Sequence, residues 1–100
     1  MAIIYHITTR SLWNDAGEKG FFETSSLKDE GFIHCCLEEQ IESVLGRYFV
    51  GMNDLVKLHI ETDKLTSPFY YEWSPSIAET FAHIYGTINL DAVQEVEQIR

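Results

Sequence analysis

Three of the chain's four histidines sit inside short apolar, strand-like runs: Ile-Ile-Tyr-His6-Ile, Gly-Phe-Ile-His34-Cys and Phe-Ala-His83-Ile-Tyr. A strand side chain points either into the core or into a cleft on the sheet face. An imidazole can be buried only where both ring nitrogens find partners. Three unrelated, hydrogen-bonded core histidines are one reading. Convergence of the three strands on one polar pocket is the other, and it is favoured because histidine suits acid–base, anion or metal work near neutral pH. His6, His34 and His83 are therefore the candidate catalytic residues. His59 lies in the alternating run 55–60 and is read as facing solvent, without a role.

Four further residues complete the candidate set as cofactor-binding groups: Thr8, Arg10, Glu72 and Tyr85. Thr8 and Thr9 follow His6, where hydroxyls contact phosphate or ribose, or simply cap a helix. Arg10 is the one arginine near a motif. Glu72 stands between Tyr71 and Trp73 in an apolar run, either on the solvent face or as a base or ribose ligand. Tyr85 belongs to a surplus of aromatics with Trp13, Tyr48, Tyr70, Tyr71 and Trp73. Core packing is the default for each, and one or two are available to stack on a ring ligand.

Other chemistries find less support. Three histidines can hold zinc with an open fourth position, but no H-x-H, H-E-x-x-H or paired-cysteine spacing accompanies them, and no metal is assigned. No nucleophile elbow supports a serine hydrolase, and neither G-x-G-x-x-G nor a P-loop is present. The stretch from Gly31 to Gln40 reads as a strand, a tight turn and a helix start, with Cys36 at the N-cap position. A helix start beside a histidine strand makes an anion site or is merely a turn. With Cys36 as the cap, replacement by serine would be neutral or mildly stabilising.

The elements that must position these groups follow from periodicity. Residues 2–7 alternate as a strand, with Ile4 and His6 on one face and Ile3, Tyr5 and Ile7 on the other. Thr8 or Thr9 caps a helix over 10–18 that ends at Gly17 or Gly20. Residues 21–27 read as extended with a turn, 32–35 as a strand, and 37–50 as a strong helix. Strands follow at 55–60, 69–73, 82–85 and 93–99, with a helical turn at 89–93. The order is β-α-β-α-β-β-β-β, an α+β chain with both main helices in its N-terminal half. Consecutive strands without helices pair antiparallel or cross between sheets.

The bulk properties bound the rest. One hundred residues, 45% of them hydrophobic, make a single domain over 1–100. Net charge is −9, and the seven cations are scattered, which argues against nucleic acid and against an anionic membrane surface. The start Met-Ala-Ile-Ile-Tyr-His lacks the features of a signal peptide, and no run approaches the ~20 apolar residues of a membrane span. The expectation is a soluble, cytoplasmic protein. The adjacent Cys35 and Cys36 are read as free thiols.

Ile-Tyr-His6-Ile-Thr, Trp13 with Ala16, Ser26-Leu, Glu30-Gly-Phe-Ile-His34-Cys with Gln40, Asp54-Leu-Val, Glu72 and His83-Ile-Tyr-Gly-Thr-Ile-Asn-Leu-Asp-Ala-Val together resemble domain of unknown function family 952. The resemblance spans nearly the whole chain. That family of small bacterial proteins is grouped by fold with the ADP-ribosyltransferases. It implies an ADP-ribosyltransferase-like split or mixed sheet and a cleft for NAD or a related nucleotide.

Against the histidine-type transferases, His6-Ile-Thr is similar to their first-strand motif, with Ile7 in place of glycine. Gly31-Phe-Ile-His34 looks like their glycine-aromatic strand leading into the helix over the nicotinamide. Where they carry a glutamate in the closing motif, this chain offers His83. The related RNA 2′-phosphotransferases need several arginines, and Arg10 stands alone.

The resulting expectation is a small transferase-like enzyme for a nucleotide- or ADP-ribose-like ligand. His6 positions the ligand, and His34 and His83 act as acid–base or phosphate-contacting groups. The rivals are a non-catalytic binding module that lost the glutamate and a metal-dependent hydrolase. NAD cleavage is expected to be weak or absent unless Glu72 supplies the missing acid. Glu72 within reach of the histidines favours catalysis.

Overall fold

Alternation in the first run yields β1 (Ile3–Thr9), whose antiparallel partner is β4 (Leu55–Glu61). The computed structural model describes residues 2–100. β8 (Val93–Gln98) pairs along the other edge of β4, making a three-stranded sheet of order β1-β4-β8. A second three-stranded sheet has the order β3-β6-β5, from β3 (Ile33–Cys35), β5 (Phe69–Ser74) and β6 (Glu79–Ile84). β2 (Phe21–Phe22) and β7 (Ile88–Asn89) form a short ladder of their own.

The two larger sheets meet at a single residue pair. Tyr5 N–H donates to the Cys36 carbonyl and Cys36 N–H to the Tyr5 carbonyl, both at 2.8 Å. Every ladder among the described residues is antiparallel, so the mixed sheet expected as one possibility is not what forms. The reason is connectivity: the strands of the C-terminal half follow one another without the helical crossover that parallel pairing requires.

α1 (Arg10–Lys19) begins where Thr9 Oγ1 accepts from Leu12 N–H at 3.2 Å and stops at Gly20, whose φ of 91° is left-handed. A short α2 (Ser25–Asp29) stands where an extended segment was expected. Ser26 is responsible: its hydroxyl donates to the Phe32 carbonyl at 2.8 Å and ties the turn to the next strand.

The helix expected over 37–50 is shorter. A 3-10 turn, Glu38–Gln40, precedes α3 (Ile41–Tyr48). Gln40 accounts for the tight start, since its Oε1 accepts from Leu37 N–H at 2.8 Å and its amide donates to the Thr80 carbonyl at 2.9 Å.

Apolar residues collect on both sides of the sheets. The larger cluster joins Ile4, Phe22, Ile33, Cys35, Val56, Leu58, Ile84 and Ile88 beneath α1. The smaller one packs α3, through Ile41 and Leu45, on Ile7, Cys36 and Leu55. Cys36 is thus a core residue, 3% exposed, and not an N-cap. Its backbone is committed to the bridge with Tyr5, which turns the thiol inward. Burial raises both thiols, Cys36 to about 12. No helix among the described residues is long and apolar enough to cross a membrane.

Candidate functional site

The register of the second sheet places His34 opposite His83, and His83 opposite Tyr70. By strand alternation Phe32, His34, Phe81, His83, Tyr85, Tyr70 and Glu72 share one face. The other face carries Ile33, Cys35, Ala82 and Ile84 into the larger core. α3 covers only the end of the polar face near Cys36 and Phe81. From this face Phe32, His34, Phe81 and His83 line a cleft of about 730 Å³, with walls from Tyr5, His6, Glu30, Tyr48 and the segment from Trp73 to Ile77. That volume lies within the usual range for small-molecule sites.

Each cleft histidine on the sheet is backed by its own glutamate. His83 Nδ1–H donates to Glu72 Oε1 at 2.8 Å, and the Tyr85 hydroxyl donates to the same oxygen. These two bonds, Tyr85's first, hold the Glu72 carboxyl below its ordinary range, while Glu72 pushes the Tyr85 phenol up. His34 Nε2 meets Glu30 Oε2 at 2.9 Å. Phe32 lies flat on His83, centroids 4.0 Å apart and planes 21° apart, which fixes that ring. A carboxylate can only accept, so the bond to Glu72 puts a proton on His83 Nδ1 and leaves Nε2 outside that bond.

His6 reaches the cleft from the first sheet. Its Nδ1–H donates to the His34 carbonyl at 2.6 Å, and its ring meets the edge of Phe22 at 5.2 Å. Burial lowers its pKa to about 4. His6 is therefore neutral at pH 7 and holds the backbone of β3 in place. His6, His34 and His83 are all among the residues that line the cleft, but only the His34 and His83 rings face each other, at 5.3 Å, while the His6 ring turns to Phe22.

The cofactor set divides. Glu72 and Tyr85 stand behind the cleft without lining it, Glu72 bonded to the lining His83 and Tyr85 bonded to Glu72. Thr8 and Arg10 do not line it. Thr8 is buried within β1. Arg10, the first residue of α1, donates from Nη2 to Gln98 Oε1 at 2.6 Å.

Glu30 is the member that sequence reasoning passed over. It was visible in the motif Glu30-Gly-Phe-Ile-His34, but its pairing depends on Gly31, whose φ of 92° folds the chain back.

His59, expected to face solvent, is half-buried outside the cleft. Its Nε2 meets Glu97 Oε1 at 2.8 Å, and its ring packs on Tyr5 at 5.0 Å. His59, Glu95 and Glu97 offer ligand atoms within 4.8 Å of one another. The Lys57 ammonium already lies 3.4 Å from Glu97 and would compete with any metal cation there.

Comparison with known proteins adds kinship. The crystal structure of protein CC0527 from Caulobacter crescentus is similar, at TM-score 0.89 and 28% identity over 99% of this chain and 87% of that one. The solution NMR structure of CC0527 gives a TM-score of 0.83 at 29% identity, over 99% of this chain and 85% of that one. They share an α+β fold with several antiparallel sheets and few helices. No curated protein matches. The model of the family described as protein of unknown function (DUF952) matches residues 7–96, and the chain belongs to that family.

Proposed function

We propose that the protein is a small acid–base enzyme, ADP-ribosyltransferase-like in its split sheet, that acts on a nucleotide- or ADP-ribose-like ligand held in the histidine cleft. One observation carries this reading: His34 and His83 face each other at 5.3 Å between ring centroids, each with its own glutamate. His83, oriented by Glu72 and Phe32, takes a proton at Nε2. His34, more exposed and backed by Glu30, gives one. A positioned pair of this kind contributes about 10²–10⁴-fold for each proton transfer.

Glu72 is bound to His83 and Tyr85, so it serves the histidine and not a developing ribose cation. Nicotinamide release from NAD is accordingly expected to be negligible, and the chemistry to be proton transfer at a hydroxyl or leaving oxygen.

The test is a thermal-shift panel of NAD, ADP-ribose, nucleoside monophosphates and nucleosides, followed by chromatography of each binder after incubation. A ligand at 100 times its Kd adds about 2.7 kcal/mol, roughly 10–20 °C for a domain of this size. Turnover by the wild type, lost with retained binding in His34→Ala and His83→Ala, is the expected result. Binding without turnover would leave a binding module, and no shift with any of them would sink the reading altogether.

A further inference from the structure

We infer that the group taken into the cleft is an uncharged nucleoside, its base stacked on Tyr48, with any phosphate left outside. The inference rests on the reading above and narrows its ligand class. It begins with charge. No lysine or arginine is among the residues that line the cleft. Arg10 is held by Gln98, and Lys57 by Glu38 and Glu97. The wall instead carries the Glu30 carboxylate. His34 and His83 offer no net positive charge either, because a protonated ring of each would be cancelled by its own glutamate. A phosphate entering this space would lose its water without meeting a cation, at a cost that only paired charges escape. The chain as a whole, at −9, repels it further.

The second observation is apolar. Tyr48, at the end of α3, lines the cleft with Val44 one turn before it, yet is 62% exposed. Its ring is not consumed by the core. An aromatic face standing bare at a cleft mouth is what a planar ring covers, and base–aromatic stacking is worth about 1–3 kcal/mol per base. Around it the Ser74 and Ser76 hydroxyls, Glu30 and the two histidines supply donors and acceptors for base edges and ribose hydroxyls. Apolar walls with a few polar groups select a neutral heteroaromatic ligand.

The experiment is isothermal titration of the full chain with adenosine, guanosine, cytidine and uridine, each beside its 5′-monophosphate, and with ADP-ribose. Each is run at low and at moderate salt. The expected result is that at least one nucleoside binds as tightly as its monophosphate or more so, with an affinity that salt leaves unchanged. Tyr48→Ala should then weaken that nucleoside by about tenfold, within the range of one stacked base. Its exposed position makes a folding defect easy to separate by circular dichroism. Monophosphates or ADP-ribose binding more tightly than the parent nucleosides, with the gain lost on adding salt, would overturn the inference and leave the proposed function standing. No binding by either class would overturn both.

Discussion

His34 and His83 occupy directly opposed positions on neighbouring strands, their rings 5.3 Å apart and inclined at 80°. Each has a different carboxylate behind it, Glu30 for His34 and Glu72 for His83. The two also differ in exposure, the His34 side chain being 54% exposed and that of His83 13%.

His6 makes stability depend on pH. Its pKa is lowered to about 4 in the folded chain from an ordinary 6.5. Between those values the unfolded chain binds the proton that the folded chain refuses, so stability is full above pH 6.5 and falls as the solution is acidified toward pH 4. The loss amounts to roughly 3 kcal/mol across the window. Urea unfolding at pH 7 and pH 4.5 should show it, and His6→Gln should flatten the dependence. A variant with the wild-type slope would assign the acid sensitivity to other groups.

Cys36→Ser should destabilise, contrary to the expectation from a capping role. The thiol is packed against Ile7, Ile41 and Leu45. A hydroxyl there has no partner in view and costs about 1–3 kcal/mol. Cys36→Ala should cost less than Cys36→Ser, because it buries no polar atom. Denaturant melts of the two variants decide it, and a serine variant as stable as wild type would refute the core placement.

Gln40→Ala should be among the more damaging polar substitutions. Gln40 is 7% exposed and satisfies both the Leu37 N–H and the Thr80 carbonyl. Truncation strands two backbone groups, for a loss of roughly 2–4 kcal/mol. Gln40→Glu should not restore it, since a carboxylate cannot donate to Thr80 and would approach Glu79, now 3.3 Å from the amide. Equal stability of alanine variant and wild type in a thermal melt would contradict the argument.

Glu72→Gln should lower the Tyr85 phenol toward its ordinary range, because the hydrogen bond and charge that raise it both come from Glu72. The shift is readable by ultraviolet titration, taking the difference from Tyr85→Phe. An unchanged tyrosine titration would show that the two side chains do not share a proton bond in solution.

Much of this architecture is local and is written in the chain. Thr9 and Gly20 bound α1 because a hydroxyl cap and a left-handed glycine act on neighbouring residues. Strands β1 and β4 follow from alternation, and so does the placing of His34 and His83 on strands. The lack of a helix between the later strands leaves two outcomes, antiparallel pairing, as β5 and β6 show, or crossing between sheets, as β7 and β8 show. The three histidines could be suspected of meeting because each interrupts an apolar run.

What the tertiary structure alone decided is which edges meet and which side each pattern faces. The bridge between Tyr5 and Cys36 turns the thiol into the core and brings His6 against the carbonyl of His34. Thr8 and Arg10 share a motif with His6, yet the chain carries both away from the cleft, and Arg10 ends on Gln98. Glu72 becomes the partner of His83 because β5 pairs with β6 in one register, and a one-residue slip would have sent it to the other face. Periodicity records which residues share a face of one element. It carries no information on pairing between distant segments, and that pairing assembled this site.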